Sequence, residues 1–137
     1  MKKICILDCD SGNIQSLKVS INFLDIDCRV SSLKKDIESA SHIILPGVGS
    51  YKKVLTKLKK KIDIDFLEKQ IIKKSKYFLG ICVGMQILST TGSEHGQYSG
   101  LDWIPGSVNK IDNKKLILPH VGWNDVVFKQ NNKIIKN

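Results

Sequence analysis

Apolar residues along this chain fall alternately into short unbroken runs and into helical spacing. Ile4-Cys-Ile-Leu7 is an apolar run of strand length that ends at Asp8. Asp10-Ser-Gly-Asn13 has turn composition, and Ile14, Leu17, Ile21 and Leu24 then follow a helical period. Cys28-Arg-Val30 reads as a second strand and Lys34 to Ser39 as a brief polar helix or turn. His42-Ile-Ile-Leu45 reads as a third strand, stopped by Pro46-Gly47. One or two helices are expected between Tyr51 and Lys74, broken near Ile62-Asp63. Tyr77 to Ile81 is the fourth strand, and a helix runs from behind Cys82 to about Ser89. Strands alternating with helices predict an α/β fold, an open and mostly parallel sheet with helices on both faces.

The pattern changes after Thr90. Gly92 to Gly100 is polar and glycine-bearing, which predicts a loop. Val108 to Ile111, Leu116 to Leu118 and Val126 to Lys129 look like short added antiparallel strands. Asn131 to Asn137 is rich in lysine and asparagine with no helical period. An open α/β sheet seldom stops without a closing helix or strand, so residues 1–137 are expected to form a single, incomplete domain whose C-terminal part is missing.

Length and charge narrow the function classes. A chain of 137 residues can bury a real core. The net charge of +9 raises nucleic acid as a partner, but the basic residues are almost all lysine and Arg29 is the lone arginine. Arginine is the residue for bidentate base and phosphate contacts. The densest cluster, Lys52 to Lys61, carries Val54, Leu55 and Leu58 on one side, the mark of a helix with a solvated lysine face. No nucleic-acid partner is therefore expected. No apolar run approaches membrane-span length, and the apolar stretch after Met1-Lys2-Lys3 stops at Asp8, so neither a membrane partner nor an export signal is expected. Cysteines 5, 9, 28 and 82 form no C-x-x-C pair and no metal spacing, as in a reduced cytoplasmic protein.

The chemistry concentrates at Gly80-Ile-Cys-Val-Gly84. Glycines two before and two after Cys82, between a predicted strand and a predicted helix, give the spacing of a nucleophile elbow. A strand turning sharply into a helix crowds the nucleophile's neighbours, so residues without a Cβ are needed there. The helix start would offer free N–H groups and partial positive charge, favouring a thiolate and an oxyanion. The bland alternative is a buried core cysteine at a strand end. Leu45-Pro-Gly-Val-Gly-Ser50 places a glycine-bearing turn at the end of the third strand, either as a plain turn or as backbone donors completing an oxyanion hole with Val83. Pro119-His-Val-Gly-Trp-Asn124 is a dense motif between two predicted strands, or simply a β-turn with a packed tryptophan.

Together these segments resemble the class I, triad-type glutamine amidotransferases. Leu-Pro-Gly-Val-Gly at 45–49 and Pro-His-Val-Gly-Trp-Asn at 119–124 are similar to the glutaminase subunits of imidazole glycerol phosphate synthases within that family, as are Asp10 to Ser16 and Leu101 to Gly106. The resemblance implies a flavodoxin-like sheet and glutamine as substrate. It makes Cys82 the nucleophile that forms a γ-glutamyl thioester. The backbone of Gly47, Val48, Gly49 and Val83 becomes the oxyanion hole, Gln86 a substrate contact, and Glu94 the group receiving the substrate's α-amino group. No cofactor and no metal are implied. The implied partner is a (β/α)8-barrel cyclase that receives ammonia in a heterodimer, with Asn13, His120, Trp123 and Asn124 in the motifs of the docking face.

One element of the family pattern is absent. Its general base is a histidine in an H-P-E segment, and none of His42, His95 and His120 has an acid two residues on. Roughly the last third of a typical member is expected to be missing, and this chain alone is expected to be inactive. Two other readings stay open: an amidotransferase of the same family serving a surface-sugar pathway, and a non-catalytic docking module.

Overall fold

The computed structural model describes residues 3–111, 118–119, 121–125 and 127. Four parallel strands, β1 (Ile4–Leu7), β2 (Cys28–Ser31), β3 (His42–Gly47) and β4 (Tyr77–Cys82), form a sheet in the order β2-β1-β3-β4. Between them lie α1 (Ile14–Asn22), α2 (Lys34–Ser39), α3 (Tyr51–Lys61) and α4 (Ile64–Glu68), the last continued by a π-helical turn over Lys69–Lys73. The one-in-two alternation of strand side chains divides the core. Ile6 and Ile44 pack with Ile21 of α1 on one face. Cys5, Leu7, Ile43 and Leu45 pack with Ile37, Val54, Leu58 and Leu67 on the other. The expected parallel sheet with a helical layer on each face is the observed one.

Local chemistry explains the helix ends. Asn13 Oδ1 accepts from Ser16 N at 3.2 Å and starts α1. Asp63 Oδ1 accepts from Phe66 N at 3.0 Å and starts α4, so the break read at Ile62-Asp63 is a new N-cap. Among the described residues no helix is long and apolar enough to cross a membrane.

Four expectations need correction. β3 does not stop before Pro46-Gly47 but runs through them, with Pro46 opposite Ile81 and Gly47 opposite Cys82. Gly47 makes this possible, because a Cβ there would lie 2.5 Å from Gly84 N. The helix after Cys82, α5, is only Val83–Gln86, and Ser89 opens a strand. Residues 92–100 are not wholly loop. β5 (Ser89–Gly92), β6 (Tyr98–Ser99) and β7 (Ile104–Val108) form a second sheet in the order β6-β5-β7. β7 lies upstream of the strand expected at Val108 to Ile111, and its pairing with β5 is parallel, not antiparallel. The cause is tertiary: Leu88 O accepts from both Trp103 N and Ile104 N at 3.0 Å, which ends α5 and anchors β7 despite Pro105-Gly106. The strands expected at Leu116–Leu118 and Val126–Lys129 lie largely outside the described residues.

Candidate active site

The elbow is built where the carboxyl ends of β3 and β4 meet α5. Cys82 has φ 56° and ψ −120°, a left-handed conformation that costs a non-glycine residue about 1–3 kcal/mol. The glycines around it are required by contact. A Cβ on Gly80 would lie 2.7 Å from Met85 Cα, and one on Gly84 would fall onto Leu45 O of the neighbouring strand. Strand, Cys82 and helix are thus held by backbone-to-backbone packing that leaves no space for side chains at the two glycines. Because α5 is one turn long, its dipole is smaller than a longer helix would give.

The four thiols differ sharply. Cys82 is exposed, whereas Cys5 and Cys9 are buried in the core. Burial pushes the Cys5 thiol up to about 11 and the Cys9 thiol up to about 12, and desolvation also raises Cys28. The thiolate is the reacting form. Iodoacetamide at neutral pH will therefore label Cys82 first. Peptide mass mapping that found Cys5 or Cys28 carrying the first label would contradict the elbow geometry.

The loop after β3 has a specific arrangement. Val48 N donates to Ser11 Oγ at 3.2 Å, and the same hydroxyl donates to Val48 O at 3.0 Å. One of the amides expected as an oxyanion donor is therefore engaged within the protein. Ser11 follows Asp10, whose carboxylate meets Lys61 Nζ at 2.6 Å and whose carbonyl accepts from Lys57 Nζ. The Lys61 hydrogen bond holds the Asp10 carboxyl below its usual range. The β1–α1 turn is thus tied to α3 on one side and to the Val48 peptide on the other.

A cleft of about 620 Å³ opens beside the elbow. Gly49, Val83, Gln86 and Glu94 all line it, so four expected site residues meet around one space. Glu94 is more occupied than the sequence suggests. Its Oε2 accepts from Tyr51 N at 2.7 Å, taking the cap role that Ser50 leaves unfilled at the start of α3. Its Oε1 lies 4.0 Å from His95 Nε2. Ser93, His95, Asn109 and Lys110 complete the polar lining. Sequence reasoning did not assign Ser11, Ser93, Asn109 or Lys110 to the site. Ser11 sat in an apparent turn and Lys110 in an apparent strand, so neither carried a local signal.

The remaining expected residues are placed unequally. Asn13 caps α1. Trp123 is exposed, and Asn124 Oδ1 accepts from Asp125 N at 3.1 Å. His120 lies outside the described residues. Among the described residues no group of three His, Cys, Asp or Glu side chains is placed to hold a metal ion.

Comparison with known proteins places the chain in a family. Residues 5–137 match the family described as glutamine amidotransferase class-I. The chain is 40% identical over 134 residues to imidazole glycerol phosphate synthase subunit HisH 2 of Vibrio vulnificus, covering 96% of this chain and 63% of that protein. It is 37% identical over 138 residues to the HisH subunit of Leptospira interrogans, covering 98% of this chain and 67% of the relative. The chain thus spans somewhat under two thirds of the Vibrio relative's length. Among solved structures, a glutamine amidotransferase superposes with a TM-score of 0.58 at 17% identity, covering 72% of this chain and 51% of the other. A putative peptidase E from Listeria monocytogenes superposes with a TM-score of 0.55 at 13% identity, covering 66% of this chain and 50% of the other. At those identities the likeness concerns the fold.

Proposed function

Since the chain belongs to the class-I glutamine amidotransferase family, we propose that it is the nucleophile-bearing part of a glutaminase that supplies ammonia to imidazole glycerol phosphate synthesis in histidine biosynthesis. The observation that carries this reading is the exposed, positive-φ Cys82, next in the chain to Val83, which lines one cleft with Gln86 and Glu94. Cys82 Sγ attacks the side-chain amide carbon of glutamine, and a C–S bond forms as the carbonyl oxygen becomes an oxyanion. The N–H of Val83, with an amide of the Gly47-Val48-Gly49 segment, stabilises that charge; the Val48 amide must first leave Ser11 Oγ to take part. Collapse breaks the C–N bond, and the nitrogen takes a proton and leaves as ammonia. Water then cleaves the thioester to glutamate and restores the thiol.

The partner in this reading is a (β/α)8-barrel cyclase docking against the carboxyl edge of the main sheet, where ammonia is released. Exposed Val48 and Trp123 suit such a surface, since tryptophan is a favoured interface anchor. A second reading is a docking module without turnover of its own, which exposed Trp123 would equally serve.

One assay addresses both. The polypeptide 1–137 alone will turn over glutamine at a rate lower by on the order of 10²–10⁴ than the same polypeptide supplemented with a segment carrying an H-P-E motif, the range a positioned base contributes. The restored turnover will vanish in Cys82→Ser. Supplementation without any gain would favour the docking module. Cys82-dependent turnover by 1–137 alone would place the base within this chain, with His95 the first residue to test.

A further inference from the structure

The main sheet has two edges, and they are not alike. β2 forms one edge of the order β2-β1-β3-β4. It is four residues long and carries Arg29, exposed and paired with Asp36 at 2.7 Å. Shortness and charge are means by which proteins keep an edge from pairing with another chain. β4 forms the other edge and, among the described residues, pairs only with β3. Its six residues, Tyr77-Phe-Leu-Gly-Ile-Cys82, hold no basic or acidic side chain and no proline. Its outward N–H and C=O groups are therefore an unguarded template for another strand.

One face of β4 is also bare. Strand alternation puts Tyr77, Leu79 and Ile81 on the side of α1. Ile81 packs with Ile6, Ile21 and Ile44, but Tyr77 is 71% and Leu79 52% exposed. The Tyr77 ring stacks on His42 with centroids 4.7 Å apart, so it is held on that face instead of folding across the edge.

The sequence of β4 fits a copy of itself. In an antiparallel pair centred on Leu79, the two Leu79 side chains face each other. Tyr77 faces Ile81 of the second copy, an aromatic beside a β-branched residue. Phe78 faces Gly80, which adds no side chain to the seam. This register keeps both bare faces on one side of the joined sheet, which a slip by one residue would not. Charge selects the same direction. Lys73, Lys74 and Lys76 lie at or before the amino end of β4. Antiparallel pairing sets the two lysine clusters at opposite ends of the seam, whereas parallel pairing would set them side by side.

We propose that two copies of this chain pair edge to edge through β4, antiparallel about a twofold axis at Leu79, and join their four-stranded sheets into one. The pairing stands apart from the glutaminase reading. Stable interfaces bury on the order of 1,000 Å² or more in total, and a single seam with Tyr77 and Leu79 from each copy falls at the lower limit, so the dimer is reversible. The net charge of +9 on each chain opposes it most at low salt.

The test is sedimentation equilibrium of the chain 1–137 at moderate salt, from low to high micromolar concentration. The mass should rise from 15.4 kDa towards twice that value and no further. Leu79→Lys places two like charges on the twofold axis and should weaken the dimer at least about tenfold, because each substitution acts twice at a symmetric seam. Leu79 is half exposed, so the variant should keep its circular dichroism and still be labelled first at Cys82. Register is read by mild oxidation in a Cys82→Ser background. Leu79→Cys should give a covalent dimer above that background. Tyr77→Cys should not, because the two Tyr77 positions lie four residues apart along the seam, about 13 Å.

A mass of 15.4 kDa at every concentration overturns the pairing and leaves β4 to be covered within the chain or by a different polypeptide. A dimer that survives Leu79→Lys, or growth to open-ended assemblies, places the contact elsewhere and overturns it as well. Coupling through Tyr77→Cys as strong as through Leu79→Cys would remove the twofold seam.

Discussion

Gly84→Ala will destabilise this protein and take the reactivity of Cys82 with it. The added methyl would fall onto Leu45 O and lie 3.1 Å from Pro46 C, both backbone atoms of a strand paired on two sides. Overpacking in a tight core typically costs about 1–3 kcal/mol, and here no flexible side chain can yield, so the loss should reach or exceed the upper end. Gly80→Ala meets Met85 Cα at 2.7 Å and should cost less, because α5 is a single turn and can shift. Gly49→Ala provides the contrast. No atom lies within 4 Å of its Cβ position, and only its φ of 119° opposes a side chain. Urea denaturation of the three variants should rank them Gly84, Gly80, Gly49 from most to least damaged. A Gly84→Ala protein as stable as the parent, with Cys82 still labelled first, would mean the elbow is not packed as described.

Stability will also fall steeply above about pH 9, because two core thiols must ionise. Cys5 and Cys9 are held up to about 11 and about 12 by burial, from an ordinary thiol value of 9.0. A thiol with a raised folded-state value binds its proton more tightly when folded. Its contribution is therefore complete below pH 9 and is lost as pH climbs through 11 and 12. The raised values correspond to upper limits of about 3 and 4 kcal/mol once both groups have titrated. Denaturation of the unaltered chain and of a Cys5→Ala/Cys9→Ala variant, at about pH 8 and about pH 10.5, separates this from lysine and tyrosine ionisation, which both proteins share. The variant should begin less stable, because it has lost core volume, and should lose less on raising the pH. Parallel losses in the two proteins would show that the thiols are not protected by the fold.

The first four strands and the helices between them were legible because each carries its own period. Ile4 to Leu7 is apolar at every position, as a strand buried on both faces must be. Val54, Leu55 and Leu58 mark the buried side of α3 through its lysines. The elbow was legible for a different reason: Gly80 and Gly84 are required by backbone contact, and a contact that only glycine satisfies leaves its mark in the sequence.

What the chain alone could not show depends on segments distant in sequence. The length of α5 is decided by Leu88 O, which Trp103 and Ile104 claim for the second sheet. The cap of α3 comes from Glu94, forty-three residues away, and the Val48 peptide is held by Ser11, thirty-seven residues away. Glu94 and Lys110 line one cleft because Ser93 fastens the end of β5 to the end of β7. Periodicity and obligatory glycines are local constraints, so the amino-acid order by itself determined the parallel α/β frame and the place of the elbow cysteine. Hydrogen bonds between remote segments have no sequence period, so only the tertiary structure decided which donors are already engaged and which charges face the cleft.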